Sequence, residues 1–170
     1  FAGRTDVTLT IKAHNYNTVR GPEKVGVGVD GGIYLFDTDK AKIDALAAGE
    51  APFYEPGLPE ILEEALSTGR LTFSSDISDV SGSEVHFICV GTPQGEGEIA
   101  PDLTYVDAAV EAILPHLSPG DLVVGKSTVP VGTAERLTTV LNDADTGGLL
   151  AWNPEFLREG HAVKGTLHPD

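Results

Sequence analysis

Four polar tetrads, each placed directly after an apolar run, hold most of the side chains in this sequence that could bind or react with a small molecule. They are Asp37-Thr38-Asp39-Lys40, Gly91-Thr92-Pro93-Gln94, Lys126-Ser127-Thr128-Val129 and Asn153-Pro154-Glu155-Phe156. Carboxylates and hydroxyls bind sugars and move protons, and the ligands of parallel α/β sheets lie beyond the carboxyl ends of the strands. Each tetrad alone is also typical of an ordinary polar turn. Together, at one edge of one sheet, they predict a shared ligand crevice.

The elements that would position these tetrads alternate along the chain. Apolar, β-rich runs predict strands at Ile33–Phe36, 71–73, 85–90, 122–124 and Leu149–Trp152. Helical periodicity predicts helices at 40–48, around 61–66, from an N-cap at Asp102 to about 117, and at 134–141. Alternating strands and helices are typical of an α/β domain with a doubly wound, mostly parallel sheet.

Two glycine patterns match phosphate-binding loops without having the context that such loops need. Residues 120–127 satisfy the P-loop pattern letter by letter. In a P-loop the residues between the glycines curl around phosphates, whereas residues 122–124 are predicted to be the strand itself. Residues 26–31 match the dinucleotide fingerprint, but a predicted strand follows them at once and Asp37 comes much sooner than the expected 20 or so positions. We interpret the first match as a buried strand and the second as a loop.

Composition narrows the classes of partner. The chain has 170 residues, of which 41% are hydrophobic and 22% charged, which suits a single globular domain. Its 11 Lys and Arg against 26 Asp and Glu give a formal charge of -15, which argues against nucleic acid or an anionic membrane as a partner. No apolar run approaches the roughly 20 residues of a membrane span. With one cysteine no internal disulfide can form, which favours a cytoplasmic location.

Several stretches from Asp37 onward carry a family resemblance. They are Asp37-Thr38-Asp39-Lys40-Ala41-Lys42-Ile43, Phe53-Tyr54-Glu55-Pro56-Gly57-Leu58, Gly69-Arg70-Leu71, Phe87-Ile88-Cys89-Val90-Gly91-Thr92-Pro93, Lys126-Ser127-Thr128-Val129-Pro130-Val131-Gly132-Thr133, Asn153-Pro154-Glu155-Phe156-Leu157-Arg158-Glu159-Gly160 and His168-Pro169-Asp170. In order and spacing they resemble the NAD-binding domain of the UDP-glucose/GDP-mannose dehydrogenase family. The resemblance implies a Rossmann-like fold and an enzyme that oxidises the C6 alcohol of a nucleotide sugar with two NAD. Residues 53–58 and the Pro169-Asp170 ending favour UDP-glucose, oxidised to UDP-glucuronate, over GDP-mannose, and residues 153–157 disfavour N-acetylmannosamine.

The resemblance also implies a set of cofactor-binding residues, which are Asp37, Lys42, Val90, Gly91, Thr92, Pro93, Ser127, Thr128 and Glu159. Asp37 ends the second strand of the fold, where its carboxylate would accept the ribose hydroxyls and repel a 2′-phosphate, so that NAD is implied rather than NADP. Without the resemblance, Asp37 could equally cap the helix at 40–48. Lys42 could be a solvated helix lysine, and the other residues could form plain turns.

Glu155 and Thr128 are the catalytic candidates that the resemblance implies. A buried carboxylate with a raised pKa can take a proton from the water that attacks a thioester, and Thr128 would help to position that water or an oxyanion. Residues Asn153, Glu155, Phe156 and Leu157 match the stretch that lines the sugar site. In isolation, an Asn-Pro-Glu turn would be interpreted as a surface loop.

The only thiol of the chain is predicted to be structural. Cys89 lies within Phe87-Ile88-Cys89-Val90, where a cysteine usually behaves as a small buried hydrophobe and is unreactive. The active-site cysteine of the family, which carries the thiohemiacetal and thioester intermediates, would therefore come from a later domain. The five histidines show no metal-ligand spacing, so no metal is predicted.

The first residues depart from the family. Where a strand, a Gly-x-Gly-x-x-Gly turn and a helix are expected, residues 7–11 could form a strand, but Lys12-Ala13-His14-Asn15-Tyr16-Asn17 follows without a glycine. We expect residues 1–32 to be an atypical segment in place of the first strand and glycine turn, and 33–170 to be the NAD-binding domain. Since the chain contains no Met and starts at Phe1, we expect a fragment cut before the central helix and sugar-binding domain, inactive alone and forming homo-oligomers through the later part. The alternative is a non-catalytic nucleotide-binding module that has lost its phosphate loop.

Overall fold

The computed structural model describes residues 7–11, 33–51, 55–94, 101–154, 160, 161 and 164. Its strands are β1 (Val7–Ile11), β2 (Ile33–Phe36), β3 (Leu71–Ser74), β4 (Val85–Cys89), β5 (Leu122–Gly125) and β6 (Leu149–Trp152). Its α-helices are α1 (Lys40–Ala47), α2 (Leu58–Ser67), α3 (Thr104–Ile113) and α4 (Thr133–Asp143), with short 3₁₀ helices at Ile77–Val80 and Leu114–His116. Among the described residues, no helix is both long and apolar enough to cross a bilayer.

The strands form one sheet in the order β3-β2-β1-β4-β5-β6. Strand β2 runs parallel to β3, and β4, β5 and β6 run parallel to one another. This is the strand order of a doubly wound dinucleotide-binding sheet, with helices following strands along the chain. The predicted α/β class with a mostly parallel sheet is confirmed.

Strand β1 occupies the central position of the sheet in the opposite direction to all its neighbours. It pairs antiparallel with both β2 and β4, so that Val7 lies opposite Cys89 and Ile11 opposite Val85. We call the edge at which β2, β4, β5 and β6 end the carboxyl edge, and the opposite one the amino edge. Strand β1 therefore ends at the amino edge, where Ile11 pairs with the first residue of β4. The expectation that the first βαβ unit is atypical is thus met by a reversed strand.

The core lies between the β4–β5 centre of the sheet and the helices α3 and α4. The buried hydrophobic cluster consists of Ile88, Val90, Val106, Val110, Ile113, Val123, Leu137 and Leu141. Fully burying one such side chain contributes about 1.5–3 kcal/mol relative to leaving it exposed. Apolar residues on both faces of β4 and β5 explain why these runs read as nearly continuous hydrophobic sequence rather than as an alternation.

Some predicted element boundaries and faces were wrong. Helix α3 begins at Thr104 with Leu103 as the N-cap, although the Asp102 carboxylate still accepts the Thr104 N–H at 2.9 Å. The hydroxyl and the backbone N–H of Thr104 hold the pKa of Asp102 below its ordinary value. The helix ends at Ile113 rather than near residue 117, because Pro115 lacks an N–H and clashes with the preceding turn, which leaves a 3₁₀ turn. In α2 the helical spacing of Ile61, Leu62, Ala65 and Leu66 predicts one buried apolar stripe, but Ile61 is 42% exposed.

One buried titratable group lies at the start of β4, away from the predicted site. The His86 side chain is fully buried, and its Nε2 lies 3.0 Å from the Ser83 carbonyl oxygen. Since a carbonyl can only accept, Nε2 carries the proton and Nδ1 is the unprotonated nitrogen, for which the described residues provide no hydrogen-bond partner. Burial lowers the pKa of His86 from its ordinary 6.5, against the opposing effect of the Asp121 carboxylate, whose Oδ2 lies 3.9 Å from Nε2.

We therefore predict that the free energy of unfolding falls as the pH drops below about 6.5. Above that pH His86 is neutral in both states. Below it His86 is protonated in the unfolded chain but stays neutral in the folded chain until the pH reaches its lowered pKa. The free energy of unfolding therefore falls by up to about 1.4 kcal/mol per pH unit. Urea unfolding at pH 7.5 and 5.5 measures the loss. It should shrink in His86→Phe and persist in the control His116→Gln, since His116 is only partly buried; equal losses in all three proteins would contradict the assignment.

Candidate functional site

Residues from all four predicted tetrads lie at the carboxyl edge of the sheet. Asp37 directly follows β2, the Val90–Pro93 loop follows β4, Ser127 and Thr128 follow β5, and Asn153 follows β6. Because these four strands share one direction, their ends share one edge. The predicted residues Glu155, Phe156, Leu157 and Glu159 lie outside the described residues.

Asp37 and Lys42 form a buried ion pair at the end of β2. Lys42 Nζ lies 2.7 Å from Asp37 Oδ2, and the two side chains are 13% and 0% exposed. Asp37 Oδ1 accepts the Asp39 N–H at 2.8 Å. The helix cap of α1 is Asp39, whose carboxylate accepts the N–H groups of Ala41 and Lys42. Asp37 is therefore not the cap of this helix, and Lys42 is not a solvated lysine.

Two hydrogen bonds join the loop after β4 to the loop after β5. The Ser127 hydroxyl, which is buried, donates to the Val90 carbonyl at 2.5 Å. The Thr92 hydroxyl donates to the Thr128 carbonyl at 2.9 Å. Each loop supplies one donor to the other, so the predicted cofactor residues of both loops are fixed relative to each other before any ligand binds.

The loop after β4 is also attached to the entry of α3. The Pro93 carbonyl accepts the Asp102 N–H at 2.7 Å, and Gln94 forms an isolated antiparallel bridge with Pro101. Val90 is buried, whereas Gly91 and Thr92 are half-buried and Pro93 is exposed. The loop thus presents backbone and one hydroxyl at its surface rather than a charge.

Trp152 and Gly125 hold the loop after β5 from the other side, and neither was predicted to do so. The Trp152 indole N–H donates to the Ser127 carbonyl at 2.9 Å, and the Asn153 N–H donates to the Gly125 carbonyl at 2.8 Å. The indole lies so close that a Cβ on Gly125 would be 2.4 Å from its ring carbons. The glycine at the end of the strand was the signal in the sequence that could have revealed this contact. Glycine weakens a strand, so its presence there often marks a place where another group packs closely against the backbone.

Cys89 is only half-buried, although it was expected to be a buried hydrophobe. It is the last residue of β4, where the sheet meets the carboxyl edge, and its neighbour Ile88 takes the fully buried position. The strand alternation puts these two side chains on opposite faces, and only the face of Ile88 is completely covered.

Glu55, which lies just before α2, is a buried carboxylate that the sequence analysis did not assign to the site. It is 5% exposed, and its Oε2 accepts the Gly160 N–H at 2.8 Å. Gly160 comes directly after the stretch that contains Glu155 and Glu159. The partners are far apart in the sequence, so no local pattern reveals the contact.

A cavity of about 420 Å³ opens at the amino edge, lined by Glu84, Val85, Pro119, Gly120, Asp121, Leu122 and Leu149. Val85, Leu122 and Leu149 are the first residues of β4, β5 and β6. The cavity therefore lies at the end of the sheet opposite to the tetrads and is not the predicted crevice.

Comparison with known proteins shows the family to which the chain with this arrangement belongs. The family model described as the UDP-glucose/GDP-mannose dehydrogenase family, NAD binding domain, matches residues 27–170. The UDP-glucose 6-dehydrogenase of Rhizobium meliloti is 41% identical over 141 residues, which are 81% of this chain and 32% of that enzyme.

Solved structures of dehydrogenases also resemble this chain, in both fold and sequence. A UDP-glucose dehydrogenase from Pyrobaculum islandicum superposes with a TM-score of 0.70 at 41% identity, over 79% of this chain and 33% of that one. A UDP-D-ManNAc dehydrogenase from Pyrococcus horikoshii gives a TM-score of 0.72 at 30% identity, over 76% of this chain and 32% of that one. The chain spans about one third of the length of these relatives.

We predict that Lys42→Met lowers the free energy of unfolding by about 3–5 kcal/mol, because it leaves a fully buried carboxylate without its cation. The matched control is Lys40→Met on the same helix. Lys40 also forms a 2.7 Å ion pair, with Asp44, but the two side chains are 73% and 62% exposed. Exposed pairs contribute little, and the control should lose at most about 0.5 kcal/mol. Chemical denaturation measures both, and similar small losses would show that the Asp37–Lys42 pair is not buried in solution.

We also predict that Gly125→Ala destabilises the domain by about 1–3 kcal/mol, because the new Cβ overlaps the Trp152 ring. In a Trp152→Leu background the same change should cost clearly less, since the overlapping ring is gone. A double-mutant cycle by chemical denaturation gives the coupling between the two sites. A cost of Gly125→Ala that is the same in both backgrounds would mean that the indole does not lie on Gly125.

Proposed function

Because this chain belongs to the UDP-glucose/GDP-mannose dehydrogenase family, we propose that it supplies the cofactor-binding part of an NAD-dependent nucleotide-sugar 6-dehydrogenase. The observation that carries the proposal is the family match over residues 27–170, together with the common edge of the sheet at which the described residues of the four tetrads follow β2, β4, β5 and β6. The domain proper would be residues 33–170, with 1–32 as the atypical segment. A cytoplasmic location and a homo-oligomeric assembly stay predictions.

UDP-glucose is the substrate that we propose. The two relatives reported above that are named for UDP-glucose are 41% identical to this chain, against 30% for the one named for UDP-D-ManNAc, and the fold similarity is nearly the same. The reaction would remove two hydrides from C6 of the glucose, converting the alcohol to a carboxylate by way of an aldehyde. GDP-mannose is the alternative sugar nucleotide.

Asp37 and the loops after β4 and β5, which two hydrogen bonds join to each other, would bind the adenosine side and the nicotinamide side of NAD. The Asp37 carboxylate suits the ribose hydroxyls and would repel a 2′-phosphate. The Asp37 side chain has no exposed surface in this structure. For the ribose to reach the carboxylate, the groups that cover it, including Lys42, would have to move aside or bind the carboxylate together with the ribose. The Val90–Pro93 loop, Ser127, Thr128 and Glu159 would lie along the rest of the cofactor.

The pyrophosphate has no matching site in the described part of the chain. In a dinucleotide-binding fold it rests on the glycine turn and helix that follow the first strand at the carboxyl edge. Here β1 ends at the amino edge, beside Val85. The first N–H groups of α1 are already taken by the Asp39 carboxylate. The ribose position and loops therefore fit NAD, and the phosphate position does not.

Glu155 and Thr128 would carry the chemistry that is not supplied by the cofactor. Glu155 would take a proton from the water that attacks the thioester, and Thr128 would orient that water. Asn153, Phe156 and Leu157 would line the sugar. The nucleophilic thiol would come from outside this chain, because Cys89 belongs to β4.

A second candidate function follows from the direction of β1. A domain that keeps the family's sheet and loops but not its phosphate site could act as a nucleotide-binding or interaction module without turnover. Restoring the phosphate site separates the two candidates, because only a dehydrogenase domain should then bind NAD tightly.

We predict that this chain binds NAD weakly, with the dissociation constant raised at least about a hundredfold over a version that has the family's first unit. Losing two hydrogen bonds to a charged group costs on the order of 3–6 kcal/mol. The formal charge of -15 also opposes an anionic ligand. The measurement is calorimetry with NAD on the chain and on a version whose first 36 residues are replaced by a strand–Gly-x-Gly-x-x-Gly–helix–strand segment.

The control is the grafted chain with Asp37→Ala, which should lose the preference for NAD over NADP. Tight binding of NAD by the original chain would contradict the prediction and reveal a phosphate site elsewhere. Absence of binding by a folded grafted chain would contradict the proposed function itself.

A further inference from the structure

We propose that Trp152 is a positioning residue, which sets the direction of the peptide group between Ser127 and Thr128. The proposal rests on the proposed function, because Ser127 and Thr128 are the predicted site residues of the loop after β5. The indole N–H of Trp152 donates to the Ser127 carbonyl at 2.9 Å. The donor therefore acts on the peptide group that directly precedes the catalytic candidate Thr128.

The ring of Trp152 is anchored in the core. Trp152 is the last residue of β6, and its side chain packs against the buried cluster between the sheet and helices α3 and α4. Because Gly125 has no side chain, the ring lies directly on the backbone of β5, where an added Cβ would be 2.4 Å from the ring carbons. A tryptophan packed in this way has little freedom to turn, and its N–H needs a partner. The ring therefore holds its N–H at a fixed place at the carboxyl edge.

The bond to the Ser127 carbonyl also determines where the next N–H points. A peptide group is planar and trans, so its carbonyl and its N–H point in opposite directions. Because the Ser127 carbonyl points at the indole, the Thr128 N–H points away from Trp152. No described residue accepts this N–H, and Thr128 is exposed. The Thr128 N–H is therefore available to a ligand at the carboxyl edge.

The other hydrogen bonds of this loop hold atoms on either side of that peptide group. The Ser127 hydroxyl donates to the Val90 carbonyl, and the Thr92 hydroxyl donates to the Thr128 carbonyl. Neither bond involves the Ser127 carbonyl or the Thr128 N–H. A planar peptide group can rotate between two fixed neighbours when the ψ of the first residue and the φ of the second change together. The Trp152 indole is the described donor that prevents this rotation.

The direction of this peptide group matters for the hydrolysis of the thioester, in which Thr128 is proposed to orient the water. The water oxygen bonds to the thioester carbon while its proton passes to the general base, and the carbon–sulfur bond then breaks with its electron pair going to the sulfur. Loss of one preorganised donor commonly costs about 10²–10³-fold in such a step, and a misplacement of about 1 Å can cost roughly a hundredfold. Trp152 would therefore act on hydrolysis through Thr128, without touching the substrate.

Two substitutions separate the N–H donor from the packing of the ring. Trp152→Phe keeps an aromatic ring in the core but has no N–H to donate, and Trp152→Leu removes both. The matched control is Leu149→Ala, because Leu149 is a 59% exposed apolar residue at the other end of the same strand. Trp152→Phe provides the readouts if Trp152→Leu fails to fold.

The first measurement is the order parameter of the Thr128 N–H in this chain, obtained from nitrogen-15 relaxation. We expect a rigid value of about 0.85 in the wild type and in Leu149→Ala, and a value below about 0.6 in Trp152→Phe. The chain has one tryptophan, so its indole N–H gives a single signal, which should exchange at least about tenfold more slowly than that of free tryptophan. Neither readout depends on activity. An order parameter that is unchanged in Trp152→Phe, or an indole N–H that exchanges as fast as that of free tryptophan, would overturn the proposal.

The second measurement is the initial rate of UDP-glucose oxidation by the complete dehydrogenase that contains this chain, without added NADH. Slower hydrolysis of the thioester lowers kcat and the KM for UDP-glucose together, because the steps up to the release of the first NADH are unaffected. We expect both to fall on the order of 10- to 100-fold in Trp152→Phe, with kcat/KM within about twofold. In Leu149→Ala we expect kcat and KM to stay within about twofold of the wild type.

These kinetics distinguish a positioning role from a structural one. A loss of kcat/KM in Trp152→Phe as large as the loss of kcat would indicate a general structural defect and overturn the positioning role, and so would an unchanged kcat. Absence of turnover in every form, wild type included, would refute the proposed function. The relaxation of the Thr128 N–H would still report whether Trp152 fixes the peptide group.

Discussion

The arrangement of the site depends on one constraint, which is that backbone carbonyls at the ends of buried parallel strands must find donors. The ladder stops at the carboxyl edge, where an unpaired buried carbonyl would cost about as much as a lost hydrogen bond. Here the side chains of neighbouring loops supply the donors. The Ser127 hydroxyl donates to the Val90 carbonyl and the Trp152 indole N–H to the Ser127 carbonyl, while the bond from Thr92 to the Thr128 carbonyl joins the same loops at the exposed surface. The requirement that stabilises the sheet therefore also sets the spacing of the loops that we propose to bind the cofactor.

Charge is handled by the same principle of local pairing. The chain has a formal charge of -15 and therefore few basic side chains to pair with its carboxylates. One of them, Lys42, pairs with the buried carboxylate of Asp37. Other carboxylates are satisfied by backbone N–H groups, as Asp39 is at the start of α1 and Glu55 is by Gly160. Every N–H group used in this way is no longer available to an anionic ligand. The acidic composition and the use of these N–H groups by carboxylates thus both disfavour an anionic ligand.

Local patterns in the sequence predicted most of the described elements, because their boundaries are marked by residues such as Gly69, although the prediction of α3 passed over Pro115. The fold class followed from the alternation of those elements, and the shared edge of the tetrads followed from the fold class. Contacts between distant residues had no such signal. The Glu55–Gly160 bond and the packing of Trp152 on Gly125 depend on which elements the sheet brings together. The site roles of all the predicted residues, including those outside the described part of the chain, stay predictions.

The direction of β1 could not be predicted from the sequence either, because a strand's residues do not determine in which direction it enters a sheet. An extended strand offers donors and acceptors on both sides in either direction, so the gap between β2 and β4 can be filled by a parallel or an antiparallel strand. The sheet gains its ladder hydrogen bonds in both cases. The phosphate site is different, because it needs the chain to leave the first strand at the carboxyl edge and to begin a helix there. A reversed strand can therefore preserve the sheet of this domain without placing the end of the first strand at the edge where the phosphate site of the fold begins.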